Sequence, residues 1–262
     1  MDPNSYYVDL GDHRYRPTVH VQGAWRDTEQ HMAPVAGLLA YVIETHAARP
    51  ELQLCRLTYE ILGVISAVPF RVEVSTIRPG RTIELVEAMM IIDERPAVRA
   101  TGWRLASTDT SAVAGGGPDP LPAPDGLPVW PITDTWGGGY IDSLEFRVVP
   151  GSEPGRARAW LHSRTALLEG VEASDLVRFV GLLDTANGIA ARLPPKQWMF
   201  PNTDLTIHLT RRPRLSGPDA WIGFDARSEI GPTGIGLTSA IVYDLDGPVG
   251  RTEQILTVRK LG

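Results

Sequence analysis

An aspartate at the mouth of a β-strand, followed four residues later by a histidine, is a pairing that can move protons. Residues 200–213 read FPNTDLTIHLTRRP and place Asp204 and His208 at that spacing. A carboxylate at a strand end serves as a general base when partly desolvated, because burial raises its pKa. Side chains alternate along a strand, so Asp204, Thr206 and His208 share one face. The structural alternative is that Asp204 caps a turn or pairs with Arg211 or Arg212, with His208 a packed or exposed strand residue. Residues 54–63, LCRLTYEILG, repeat the rhythm of this strand but carry Arg56 where the acid would stand. Two versions of one strand, one acidic and one basic, point to a duplicated unit.

The elements that would position these strands duplicate as well. VAGLLAYVIETHAARPELQ begins at Val35 and FVGLLDTANGIAARLPPKQ at Phe179, sharing Gly-Leu-Leu and Ala-Ala-Arg at nearly the same spacing. Apolar residues three and four apart predict an amphipathic helix in each, with Ser174 and Asp175 in the cap region of the second and Pro50 and Pro194 as stops. After each helix come runs of Val, Ile and Thr broken by turn signals at Gly80 and Gly231, and again at 93–96 and 244–247. That pattern predicts antiparallel hairpins. Between the halves, residues 107–139 are crowded with Gly and Pro and lack periodicity, as a linker or covering loop would be. The expected organisation is an N-terminal repeat at 1–106, the linker at 107–139 and a C-terminal repeat at 140–262. The fold class is α+β, each repeat a long central helix wrapped by a curved antiparallel sheet.

Bulk properties narrow the function. A formal net charge of -6 argues against nucleic-acid binding, which needs a basic surface. A single cysteine, Cys55, excludes intrachain disulfides and paired-cysteine zinc sites, and fits a reducing, cytoplasmic setting. Within its apolar strand Cys55 reads as an inert buried thiol. The scattered His13, His20, His46 and His162 have no metal-ligand spacing, so no metal is expected. The N-terminus has no signal-peptide pattern, and no apolar run approaches the ~18 residues of a membrane span.

The pieces FPNTDLTIHLTRRP, WIGFDARSEIGPTGIG, YDLDGPVGRTEQILTVR and LLDTANGIAARL, covering most of residues 174–260, resemble the type II acyl-CoA thioesterases, a double hotdog family. The resemblance implies an Asp, a Ser or Thr and a Gln that hold and activate water, mapping onto Asp204, Ser228 and Gln254, with Thr233 competing with Ser228. It implies oxyanion donors at the helix start of the opposite half, where His31, Met32 and Ala33 would border the site and Gly37 would permit close packing. Arg56 and, roughly, Trp103 would stand at the counterparts of Asp204 and Gln254, leaving one active site. The expected substrate is an acyl-CoA, with no cofactor beyond the coenzyme A it carries and a homo-oligomer as the assembly. Asp184 and Asn187, polar residues within the second helix, would serve a helix-end or interface hydrogen bond or line the cavity. A hydratase or dehydratase using Asp204 with His208 or His31, and a non-catalytic acyl-binding protein, are the competing functions.

Overall fold

The computed structural model describes residues 4–215 and 219–262. The first half runs β1 (Ser5–Asp9), β2 (Arg14–Pro17), α1 (Met32–Thr45), β3 (Leu52–Ile61), β4 (Phe70–Arg78), β5 (Ile83–Ile92) and β6 (Arg95–Ala106). The second opens with a single turn, α2 (Gly139–Asp142), then β7 (Leu144–Val148), β8 (Arg156–Ser163), β9 (Ala166–Leu168), α3 (Asp175–Val180) and α4 (Ala186–Ile189). It closes with β10 (Trp198–Met199), β11 (Asp204–Leu209), β12 (Ile222–Ile230), β13 (Ile235–Asp244), β14 (Gly247–Thr257) and β15 (Arg259–Lys260).

Thirteen strands join in one sheet of order β7-β8-β12-β13-β14-β11-β3-β6-β5-β4-β2-β1-β9. The two halves meet where β11 pairs antiparallel with β3, Thr206 opposite Thr58. Reading outward from that pair, β14, β13, β12 and β8 on one side answer β6, β5, β4 and β2 on the other. The order is therefore two-fold about the Thr206–Thr58 pair. β9 crosses over to pair with β1 at the far edge of the first half.

The register makes the correspondence of residues exact to one position. Asp204 lies opposite Glu60 and His208 opposite Arg56, so Arg56 is the counterpart of Asp204, as the strand rhythm predicts. Thr206 faces Glu253 on one side, and Thr58 faces Thr101 on the other. Gln254 therefore corresponds to Gly102, and Trp103 answers Ile255, one place off the sequence expectation. A Cβ on Gly102 would lie 2.8 Å from a Leu54 methyl and 2.9 Å from an Ile43 methyl, so a side chain there would have to displace them.

α1 is a full helix with Met32 to Ala40, Val42 and Ile43 buried. It lies on the concave face of the sheet, and the Tyr59 hydroxyl donates to the Ala36 carbonyl at 2.9 Å inside the core. Each fully buried Leu or Ile of this helix contributes roughly 1.5–3 kcal/mol.

The second helix departs from expectation. It stops at Val180, makes a 3-10 turn at Leu183–Thr185 and resumes as one turn of α-helix. The cause is local. At the crossing of the two helices, a Cβ on Gly37 would sit 2.9 Å from the Gly181 Cα, so the backbones touch there. Past Gly181 the polar side chains are claimed from outside the helix: Thr185 Oγ1 pairs with the Tyr140 hydroxyl at 2.6 Å, and Asn187 Nδ2 donates to the Phe200 carbonyl at 3.0 Å. A 3-10 segment in mid-helix is a common mark of a functional position. Here it re-aims Asp184.

Residues 107–139 carry only two short 3-10 turns besides the start of α2. Ile132 and Trp136 from this segment are nevertheless buried in the core.

Candidate active site

Asp184 ends up on the wall of a cavity of about 590 Å³, only 5% exposed. Its Oδ1 accepts from Asn202 Nδ2 at 2.7 Å and from Gln254 Nε2 at 2.8 Å. Its Oδ2 is left toward His31, whose Nδ1 lies 3.7 Å away. Burial, opposed by the two amide hydrogen bonds and helped by the nearby Asp204 charge, raises the Asp184 pKa to about 6. A carboxylate with one oxygen clamped by two amides, the other uncommitted, and a pKa near neutrality can accept a proton from water.

His31 is the N-cap of α1, its Nδ1 accepting the Ala33 N–H at 3.1 Å. Its ring stacks on Tyr140 with centroids 4.1 Å apart. Burial drives its pKa down to about 3. The imidazole is therefore neutral, its short approach to Asp184 is not an ion pair, and its proton sits on Nε2. In the first turn of α1, Ala33 N–H is taken and Pro34 has none, which leaves the Met32 N–H as the free donor of the helix start. His31 and Met32 both line the cavity; Gly37 lies at the helix crossing instead.

Across the sheet, Gln254 is fully buried and sits directly opposite Thr238 on β13. The Thr238 hydroxyl and Gln254 Oε1 are both buried without a partner among the described residues. Opposed residues on neighbouring strands point to the same face, so Asp184, Gln254 and Thr238 form one polar patch in an apolar interior. Buried polar atoms are normally satisfied, so these two leave hydrogen-bonding capacity next to the Gln254 amide that holds Asp184.

Of the residues the resemblance nominated, Gln254 joins this patch. Asp204 does not line the cavity: its Oδ1 accepts the Ile255 N–H at 2.7 Å, closing β11 onto β14. It stands beside Asp184, since Asn202 Nδ2 also donates to the Asp204 carbonyl at 2.9 Å. Ser228 lies opposite Thr238 on the same face, buried one strand further from Gln254, and Thr233 sits on an exposed turn. The hydroxyl next to Gln254 is thus Thr238. His208 is exposed, opposite Arg56 and Arg251.

Thr238 is not among the nominated residues, and Asp184 reads in the sequence only as a helix residue that makes a hydrogen bond or lines the cavity. The signal was there: Asp184 interrupts the apolar face of a repeat whose other copy reads GLLAYVI.

Comparison with proteins of known structure gives the fold. A protein with the hotdog fold from Alicyclobacillus acidocaldarius superposes with TM-score 0.76 at 14% identity, over 99% of this chain and 98% of that one. An acyl-CoA thioesterase II, TesB2, from Mycobacterium marinum gives 0.69 at 17% identity over 98% and 95%. A tesB protein of Mycobacterium avium subsp. paratuberculosis gives 0.67 at 15% over 97% and 95%. No functionally curated protein matches the sequence significantly. At these identities the likeness establishes a hotdog fold. Residues 21–105 match the family model of the acyl-CoA thioesterase N-terminal domain, and 118–258 that of the C-terminal domain. The chain belongs to the acyl-CoA thioesterase family.

Proposed function

We propose that the protein hydrolyses fatty-acyl-CoA thioesters to free acid and coenzyme A, with Asp184 as general base. The observation that carries this reading is the Asp184 carboxylate itself: buried, cavity-lining, clamped on one oxygen by Asn202 and Gln254 and raised toward neutrality by burial. Water held against Oδ2 gives up a proton to Asp184 as its oxygen bonds to the thioester carbonyl carbon. The carbonyl π pair moves onto oxygen, where the Met32 N–H and the neutral His31 Nε2–H are the donors within the cavity wall. Collapse of the tetrahedral intermediate breaks the C–S bond, and the proton on Asp184 passes to the departing thiolate. Thr238 supplies the hydroxyl, and Gln254 an amide, that orient the water.

The closeness of His31 to Asp184 also suits a hydratase, which adds water across an enoyl-CoA double bond. Free coenzyme A release from saturated acyl-CoA by wild type, lost in Asp184→Asn, supports hydrolysis. Turnover of enoyl-CoA to hydroxyacyl-CoA without thiol release would replace it with the hydratase reading.

A further inference from the structure

The cavity beside Asp184 has a direction. Its rim carries the exposed Arg26, Leu62, Val64 and Arg259, whereas its floor is made of the buried Ile132, Trp136 and Ile141. A charged, open end and an apolar, closed end suit a substrate that is polar at one end and hydrocarbon at the other. Beyond Trp136 lies a second cavity of about 500 Å³ that opens to solvent, lined by Val148, Ala157, Ile189 and Leu193 and, at its mouth, by the exposed Glu153 and Arg192. The two cavities share Ile132, Trp136 and Gly188 as a common wall.

Trp136 is held firmly in that wall. Its ring meets Trp25 edge-on at 5.2 Å and Phe200 at 5.8 Å. Its indole Nε1 lies 3.8 Å from where a Cβ on Gly188 would be, so the ring borders α4 at ordinary van der Waals distance. Gly188 on α4 and Asp184 on the preceding 3-10 turn both line the first cavity. The indole and the Asp184 carboxylate therefore border one cavity.

We propose that Trp136 is the chain-length determinant of this site: the acyl tail ends against its indole, and the second cavity is space that the indole closes off. The inference rests on the acyl-CoA reading above and adds to it a residue from the 107–139 segment. An apolar pocket discriminates between homologues by the methylenes it cannot hold, about tenfold or more for each. Removing the indole joins the two cavities.

The test compares wild type, Trp136→Leu and Trp136→Ala on butyryl-, octanoyl-, dodecanoyl- and hexadecanoyl-CoA. The readout is the ratio of kcat/KM for a long chain to that for a short one. That ratio does not depend on how much of a weakened variant is folded. Dissociation constants for the matching S-alkyl-CoA thioethers are measured in parallel. The expected result is a ratio that rises by about tenfold or more in Trp136→Ala and by less in Trp136→Leu, with thioether affinities moving the same way. Hydrolysis with an unchanged ratio overturns the proposal and leaves the thioesterase reading standing. Thioether binding that shifts with chain length, in a protein that hydrolyses no thioester, overturns the thioesterase reading and leaves the partition standing.

Discussion

The two halves place matching strands around opposite interiors. At the positions of Asp184, Thr238 and Gln254 the first half carries Ala40, Val86 and Gly102. The correspondence follows from Gly181 meeting Gly37 at the helix crossing, with Asp184 and Ala40 each three residues on, and from the cross-strand pairs Thr238–Gln254 and Val86–Gly102. All three polar groups have become apolar or vanished together. A lone polar residue can be a tolerated accident of packing. Three that converge in one copy and are jointly erased in the other describe a site kept once, while the erased copy is filled as ordinary core. The halves still depend on each other, because His31 and Met32 of the first supply the cavity wall facing Asp184 of the second.

The strongest way to break the contrast is to neutralise the acid. Asp184→Asn should lower kcat by ~10²–10⁴, the span expected for loss of a general base. The same change should stabilise the fold. Because burial raises the folded-state pKa from 3.8 to about 6, folding favours the protonated acid. Stability from this group is therefore complete below 3.8 and is lost as pH rises through about 6. At alkaline pH the buried charge costs on the order of 3 kcal/mol, which permanently neutral Asn avoids. Thermal melts should show the variant above wild type at alkaline pH, with the gap closing toward acid. Wild-type kcat/KM should rise with pH to a plateau above about 6. A variant that is both inactive and less stable at alkaline pH would make Asp184 a structural residue.

Thr238→Val makes the second half copy Val86 of the first. The hydroxyl has no partner in the folded protein, so its loss should leave stability unchanged or raise it by about 1 kcal/mol. Hydrolysis should nevertheless fall roughly 10²-fold, as for a removed positioning donor. Full activity in this variant would take Thr238 out of the site. Gly102→Gln is the reverse exchange, putting the second half's amide into the first. It should destabilise by roughly 1–3 kcal/mol through overpacking against Leu54 and Ile43, while kcat per folded molecule stays at the wild-type level. Denaturant unfolding and active-site-normalised rates separate the two effects.

Much of this architecture is legible in the sequence, and the site is legible only in part. The paired Gly-Leu-Leu helices and hairpin rhythm announce the repeat, because periodicity survives wherever one face is buried. Gln254 is singled out from GRTEQILTVR, and in the fold its amide meets Asp184. Asp184 is hidden because a helix pattern cannot show that the helix breaks after Gly181 and turns its polar side chains inward. The burial of Trp136 is hidden because a Gly- and Pro-rich stretch reads as a loop, although two of its residues, Ile132 and Trp136, reach the core.

Asp204 gives the smallest expected effect and the sharpest test of where the acid is. It stands at the strand mouth, opposite in charge to its counterpart Arg56, which made it the natural candidate from sequence. In the fold its Oδ1 holds the Ile255 N–H, a bond that the amide oxygen of Asn would keep. Asp204→Asn should therefore stay within about tenfold of wild type, well short of the loss of a general base. Its charge is one of the influences raising the Asp184 pKa, so removing it should shift the acidic limb of the kcat/KM profile to lower pH. A fall as deep as that of Asp184→Asn, with the acidic limb gone, would return the base to Asp204. A modest loss with the limb moved toward acid ties both carboxylates to one site and leaves the proton transfer to Asp184.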